Sequence, residues 1–249
     1  MTTLALYSNK GGVGKTATAV NLAYLAAQSG RTTLICDLDP QGSSTFYFRV
    51  KPRLKRKARG LIQGGKPVDL SIKGTDYENL DILPADFSHR NLDVIFDRLS
   101  YRKRRLDIVL DPLSVEYDLI ILDCPPTINI LAENIFNTAD YLIVPLIPTT
   151  LSVRTHEQLL TMFDEHEYPR DKIYGFFSMV DRRKNLHREI VATLQNEFDS
   201  IFESEIPYRS QIEQMGIYRE PVPAFAPRSS ATQAYEALWA EIEQDLLRE

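Results

Sequence analysis

From residue 8 the chain reads Ser8-Asn9-Lys10-Gly11-Gly12-Val13-Gly14-Lys15-Thr16. A short apolar run, Leu4 to Tyr7, precedes this string and an Ala-rich apolar segment follows it, giving the order strand, glycine loop, helix. Without Cβ atoms, Gly11, Gly12 and Gly14 let backbone N–H groups turn inward around phosphate oxygens. A helix starting near Gly14 adds the partial positive charge of its N-terminus. Lys15 then reaches the β and γ phosphates as a point charge, and the Thr16 hydroxyl holds Mg²⁺. The residues describe a nucleotide site.

The spacing G-x-x-x-x-G-K-[ST] is not met strictly, because its first glycine falls on Asn9. A second lysine, Lys10, follows instead, and a cation built into an anion cradle is not an ordinary solvated loop residue. Lys10-Gly-Gly-Val-Gly-Lys-Thr16 resembles the deviant Walker A motif of the ParA/MinD family of ATPases. The resemblance implies ATP held by Lys10, Gly11, Gly12, Val13, Gly14, Lys15, Thr16 and Ala17, with Lys10 reaching across a dimer to the partner's nucleotide.

The first apolar strand after this helix, Thr32 to Asp37, delivers Asp37-Leu38-Asp39-Pro40-Gln41-Gly42 to the same end of the sheet as the phosphate loop. Ligands of open α/β sheets bind there, so two carboxylates are well placed for Mg²⁺ and water. The string resembles the family's D-x-D-P-Q-G segment, which implies Asp39 as the residue orienting the attacking water and Asp37 in the magnesium shell. Tyr117 to Asp123 is a continuous apolar run ending in an acid, the mark of a strand buried on both faces. Asp123 at its end is positioned as the Walker B carboxylate on Mg²⁺. Cys124-Pro125-Pro126 stops that strand, and Thr127 is expected to cap the next helix.

Strands at 79–84, 141–146, 173–180 and 201–206 alternate with helices at 88–99, 150–165, 185–198 and 229–247. About seven strands alternating with helices predict an α/β fold: a doubly wound, mainly parallel sheet with helices on both faces, of the P-loop NTPase type. Residues 43–79 are the least regular, with short helices expected around 58–63 and 67–72. No break in composition divides the 249 residues, so one domain over 1–249 is expected. Hydrophobic and charged fractions of 43% and 25% are those of a soluble globular protein, and neither a signal peptide nor a membrane-length apolar run is present. Cys36 and Cys124 read as buried thiols in a reducing cytoplasm, and His89, His156, His166 and His187 as surface residues without ligand spacing.

The formal charge of −5 conceals basic runs. Residues 49–59 hold seven bases and no acid, and Arg102 to Arg105 hold four more; without these eleven the chain has 18 bases against 34 acids. Concentrated basic patches on an acidic body suit a local anionic partner, although each run also reads as a solvated loop.

Further segments carry the resemblance along the chain: Asn79 to Ala85, Ala139 to Pro145, Met179 to Leu186 and Ala226 to Tyr235. It is to ParA-type, Soj-like partition proteins. It implies an ATP-driven switch whose Mg²⁺–ATP homodimer binds DNA without sequence preference, on the nucleoid in the cytoplasm, and is released when a cargo-bound ParB-like partner stimulates hydrolysis. DNA contacts would come from Arg182, Arg183, Lys184, Arg209 and Arg228. Ser178, Met179 and Pro207 are the candidates for the adenine. Alternatives are a MinD-like membrane switch, opposed by the acidic stretch from Glu236 onward, and a redox or metabolic enzyme of the same fold, opposed by the cysteines. No helix-turn-helix segment precedes the first strand, so operator-specific binding is not expected.

Overall fold

The computed structural model describes residues 1–52 and 63–248. Five short strands form its centre: β1 (Thr2–Leu6), β2 (Thr33–Asp37), β4 (Leu80–Leu83), β5 (Leu119–Asp123) and β6 (Tyr141–Leu146). Each reads as a near-continuous apolar run because helices cover both faces of a parallel sheet. With the two-residue β3 (Lys73–Gly74), β7 (Ile173–Val180) and β8 (Ile201–Pro207), they make an eight-stranded sheet ordered β3-β4-β2-β5-β1-β6-β7-β8. All pairings are parallel except the edge contact of β3 with β4. That antiparallel edge makes eight strands rather than seven; Lys73 and Gly74 carry no apolar signal by which to find it.

Alternation along the strands divides the core. Leu4, Leu6, Ile35, Ile121 and Ile143 point to one face, with Ala5, Leu34, Cys36, Ile120 and Leu142 on the other. The first face is covered by α1 (Lys15–Gln28), whose Ala19, Val20, Leu22, Ala23 and Ala26 are fully buried, and by the C-terminal helix at Ser230–Leu246. Ala231, Tyr235, Leu238, Trp239 and Ile242 of that last helix are committed to the core, so its apolar face is not available to a lipid surface. The second face is covered by helices including Ile130–Thr138 and Thr150–Glu165.

Several local expectations are corrected. The helix following β5 starts at Ile130 and is capped by Asn129, whose Oδ1 accepts from the Leu131 and Ala132 N–H groups, not by Thr127. Thr127 instead donates its N–H back to the Pro125 carbonyl in a tight turn after the two prolines. Residues 88–99 divide into a 3₁₀ turn (Phe87–Asn91) and an α-helix (Leu92–Asp97). The helix expected around 67–72 is a single turn, Lys66–Asp69. The one expected at 58–63 falls almost wholly outside the described residues, as does most of the basic run 49–59.

Three of the four histidines are buried rather than on the surface. No more than 6% of His89, His156 or His187 is exposed, and only His166 lies at the surface. The thiols of Cys36 and Cys124 are both buried and free.

Candidate functional site

Register places the chemistry. Leu6, the last residue of β1, pairs with Asp123, and Asp37 pairs with the same Asp123 from the other side. The ends of three adjacent strands therefore bring the phosphate loop and two acids to one level. Leu38 continues this contact by donating its N–H to the Asp123 carbonyl.

The loop wraps back on itself. Gly12 and Gly14 have φ of 71° and 95°, in the left-handed region, and Gly14 opens α1 without a side-chain cap, leaving the helix's first N–H groups for an anion. A Cβ on Gly14 would come within 2.8 Å of the Ser178 hydroxyl, so the end of β7 packs directly on the loop. Lys15 is buried and donates a 2.9 Å hydrogen bond to the Lys10 carbonyl. Burial depresses its pKa, and Asp123, Cys124 and Asp39 act in the opposite sense. Lys10 is half-exposed and makes no ion pair among the described residues. Val13 is buried and Ala17 half-buried on the next turn.

Thr16, Asp37 and Asp123 meet beneath the loop. The Thr16 hydroxyl lies 3.2 Å from Asp123 Oδ1, and the Ser44 hydroxyl donates to Asp123 Oδ2 at 2.7 Å. Asp37 Oδ2 accepts from both the N–H and the hydroxyl of Thr45, at 2.8 and 2.7 Å. Its other oxygen, Oδ1, is buried with no partner. Burial, then the neighbouring Asp123, push the Asp37 carboxyl well above its ordinary range, and burial raises Asp123 as well. An orphaned carboxylate oxygen beside a second carboxylate and a hydroxyl is an all-oxygen donor set suited to Mg²⁺, whose charge would favour ionisation of both acids. Asp39 is half-buried, and its Oδ1 accepts from the Gln41 N–H at 2.9 Å, leaving Oδ2 without a partner among the described residues.

Ser44, Thr45 and Ser178 are site residues that the sequence reading did not assign to these roles. The run Ser43-Ser44-Thr45 directly after the acidic loop was a legible signal: left-handed Gly42 turns the chain so that the hydroxyls face back to Asp37 and Asp123.

The other candidates lie apart. Pro207 lines a cavity of ≈ 850 Å³ at the ends of β7 and β8, together with Arg182, Arg183 and Arg209. Met179 precedes it with φ of 56°, half-buried. Arg182 forms a two-point pair with Glu205, Arg183 pairs with Asp181, and Arg209 donates to the Ser230 hydroxyl. Lys184 and Arg228 are exposed. Of the run 102–105, Arg102, Lys103 and Arg104 pair with Asp97, Glu133 and Asp107, which favours a locally neutralised surface there. Arg49 pairs with Glu220 and Asp76.

Among the described residues no helix is long and apolar enough to cross a membrane. A family model described as an AAA domain matches residues 1–173. The chain is 29% identical over 245 residues to the sporulation initiation inhibitor protein Soj of Bacillus subtilis (strain 168), covering 96% of this chain and 97% of that one. It is 30% identical over 246 residues to the chromosome-partitioning ATPase Soj of Thermus thermophilus, covering 96% and 94%. Among solved structures, cobyrinic acid a,c-diamide synthase from Mycobacterium smegmatis with bound ADP and magnesium superposes with a TM-score of 0.80 at 25% identity, over 100% of this chain and 97% of that one. With the glycine loop and its two lysines at the ends of β1 and α1, and with end-to-end similarity to Soj, the chain belongs to the ParA/Soj/MinD family of P-loop ATPases.

Proposed function

We propose that residues 1–249 act as one ATP-dependent partition or positioning ATPase in the cytoplasm. Its ATP-bound homodimer holds non-specific DNA and lets go when a ParB-like protein on the cargo stimulates hydrolysis. The observation that carries this reading is Lys10: a half-exposed ammonium, without an ion pair among the described residues, in a loop that already contains a second lysine, Lys15. One nucleotide needs one such lysine in its cradle, so a second, half-exposed one is available to a neighbouring copy.

Each residue then has a part. Lys15 leaves the Lys10 carbonyl for the β and γ phosphates, and the N–H groups of Gly11 to Ala17 close around them. Thr16, Asp37 and Asp123 would hold Mg²⁺, which when bound neutralises charge on the phosphates. Asp39, with one oxygen fixed by Gln41 and the other free, orients the attacking water. No residue here is a dedicated strong base, so hydrolysis rests on positioning and is slow without the partner. Pro207, Met179 and Ser178 border the space for the adenine, and Arg182, Arg183, Lys184, Arg209 and Arg228 supply the basic surface for DNA.

Two rival readings lose support. A membrane switch working through the last helix would need an apolar face that is buried here in the core. A redox enzyme bridged by cysteines would need thiols at the surface, and both are enclosed. The test is sedimentation and ATP turnover of the purified protein, with and without DNA. Dimer formation with ATP but not ADP supports the reading; an ATP-bound protein that stays monomeric at micromolar concentration rejects it.

A further inference from the structure

Thr45 makes three hydrogen bonds around Asp37. Its N–H and its hydroxyl both donate to Asp37 Oδ2, at 2.8 and 2.7 Å, and its Oγ1 accepts from the Ala85 N–H at 2.8 Å. Thr45 is fully buried, and Asp37 and Ala85 are each 1% exposed. Ala85 follows β4, so Thr45 ties the end of that strand to the acid that ends β2. The approach depends on Gly42, where φ is 67° and a Cβ would meet the Ala85 methyl at 3.4 Å. If the carboxylate needed only to be satisfied, one donor on each oxygen would serve. Instead both Thr45 donors converge on one oxygen, and Oδ1 is left buried without a partner in the residue paired with Asp123. Two donors on one oxygen fix the plane of the carboxyl group, and the Ala85 N–H fixes the hydroxyl that donates. The Ser44 hydroxyl, from the same helical turn, takes Oδ2 of Asp123 at 2.7 Å and leaves Oδ1 to the Thr16 hydroxyl.

We propose that Thr45 is a positioning residue for Mg²⁺. Acting through Asp37, it commits one carboxylate oxygen to the protein and reserves the other for the metal shell. The inference rests on the reading that Thr16, Asp37 and Asp123 hold Mg²⁺. Loss of a partner that orients a metal-binding side chain costs about 10- to 100-fold in metal affinity. A buried threonine that only braced its turn would affect stability and leave that affinity alone.

The test reads the factor by which saturating Mg²⁺ tightens ADP binding, measured by calorimetry against EDTA; ADP keeps hydrolysis out of the readout. Wild type should show tightening, and none would remove the metal assignment itself and the role of Thr45 with it. Thr45→Val, of the same shape, should lower the factor about tenfold or more, and Thr45→Ser, which keeps the hydroxyl, should hold it within about threefold. Because Thr45 acts through Asp37, Thr45→Val should take nothing further from an Asp37→Asn protein. A wild-type factor in folded Thr45→Val overturns the proposal and leaves the metal assignment intact. So does a loss in Thr45→Ser as large as in Thr45→Val, or an equal loss from Thr45→Val on both backgrounds. Should Thr45→Val not fold, the Ala85 amide proton of the ADP-bound protein decides by NMR. A saturable shift on adding Mg²⁺ that Asp37→Asn abolishes supports the proposal; a shift that persists in that variant, or never appears in wild type, overturns it.

Discussion

The Lys15 ammonium donates to the backbone carbonyl of Lys10 at 2.9 Å, so the two lysines of the loop are tied together through the main chain of one and the side chain of the other. Lys15 is therefore buried within the loop, whereas Lys10 stays half-exposed. The two should fail differently when removed.

Lys15→Ala should lower ATP affinity by about 10- to 100-fold, the worth of a charge-assisted hydrogen bond in a buried cradle. Lys10→Ala should change that affinity by no more than about threefold, as for a half-exposed charge. It should nevertheless lose ATP-dependent dimers and cut turnover by about a hundredfold or more, as expected of a charge proposed to serve the partner's phosphates. Nucleotide titration, sedimentation and turnover on the two variants check this; equal loss of ATP affinity in both would merge their roles.

The carboxylates divide similarly. Asp39→Ala should bind Mg²⁺ and ATP normally while slowing hydrolysis by about a hundredfold, accumulating dimers. Asp123→Ala strands the Thr16 and Ser44 hydroxyls that it now receives, and should remove the dependence of ATP binding on Mg²⁺. Hydrolysis by Asp39→Ala equal to wild type, with DNA and partner present, would take the water-orienting role from it.

Gly14→Ala meets two obstacles at once: a φ of 95° and the Ser178 hydroxyl 2.8 Å from the new Cβ. A loss of about 1–3 kcal/mol in stability is expected from the backbone strain and the clash together. Ser178→Ala should restore part of it, since the clash goes and the strain stays. Denaturant unfolding of the four proteins of that cycle measures the split; no rescue would mean that Ser178 does not bear on the loop.

Much of this was legible in the residues and some was not. The glycine loop, Asp37, Asp39 and Asp123 were found from strand ends because a doubly wound sheet delivers its chemistry there. Strands β1, β2 and β5 announced themselves as apolar runs, β5 as one buried on both faces. The edge strand Lys73–Gly74 did not, because a two-residue pairing at a sheet edge needs no apolar pattern. The histidines misled because His is ambivalent by composition, and only tertiary packing puts His89 and His156 inside. Thr127 was the expected cap in sequence, but the helix starts three residues later and Asn129 takes the role. The arginines 182 and 183 were legible as basic, yet their pairing with Glu205 and Asp181 depends on neighbours that only the fold supplies.

His89 sets a pH dependence. Burial drops its pKa to about 4 from an ordinary 6.5, with Asp86 pulling the other way. The folded state thus binds fewer protons than the unfolded chain between those values, and stability falls as pH is lowered from 6.5 toward 4. At about 1.4 kcal/mol per pH unit of that window, His89 should cost roughly 2 kcal/mol between pH 7 and pH 5. His89→Gln should flatten that part of the curve, measured by denaturant unfolding at each pH. Parallel curves for the two proteins would show that His89 does not titrate in the folding transition.

On the proposed function, ATP should control attachment to DNA. A monomer of net charge −5, with Arg182 and Arg183 each engaged by an acid, should hold a polyanion weakly. An ATP-bound dimer doubles its basic patches on one surface, so the contacts add on a single duplex. Each phosphate neutralised adds roughly −0.9 to the slope of log K against log salt, and phosphate contacts are indifferent to sequence. Reversing the charge of Arg182 and Arg209 should weaken binding to every sequence and leave ATP affinity unchanged. The direct measurement is a salt titration of binding to random duplex DNA with ATP, with ADP and without nucleotide. Tight, steeply salt-dependent binding with ATP alone is the predicted result; the same affinity in all three conditions would contradict it.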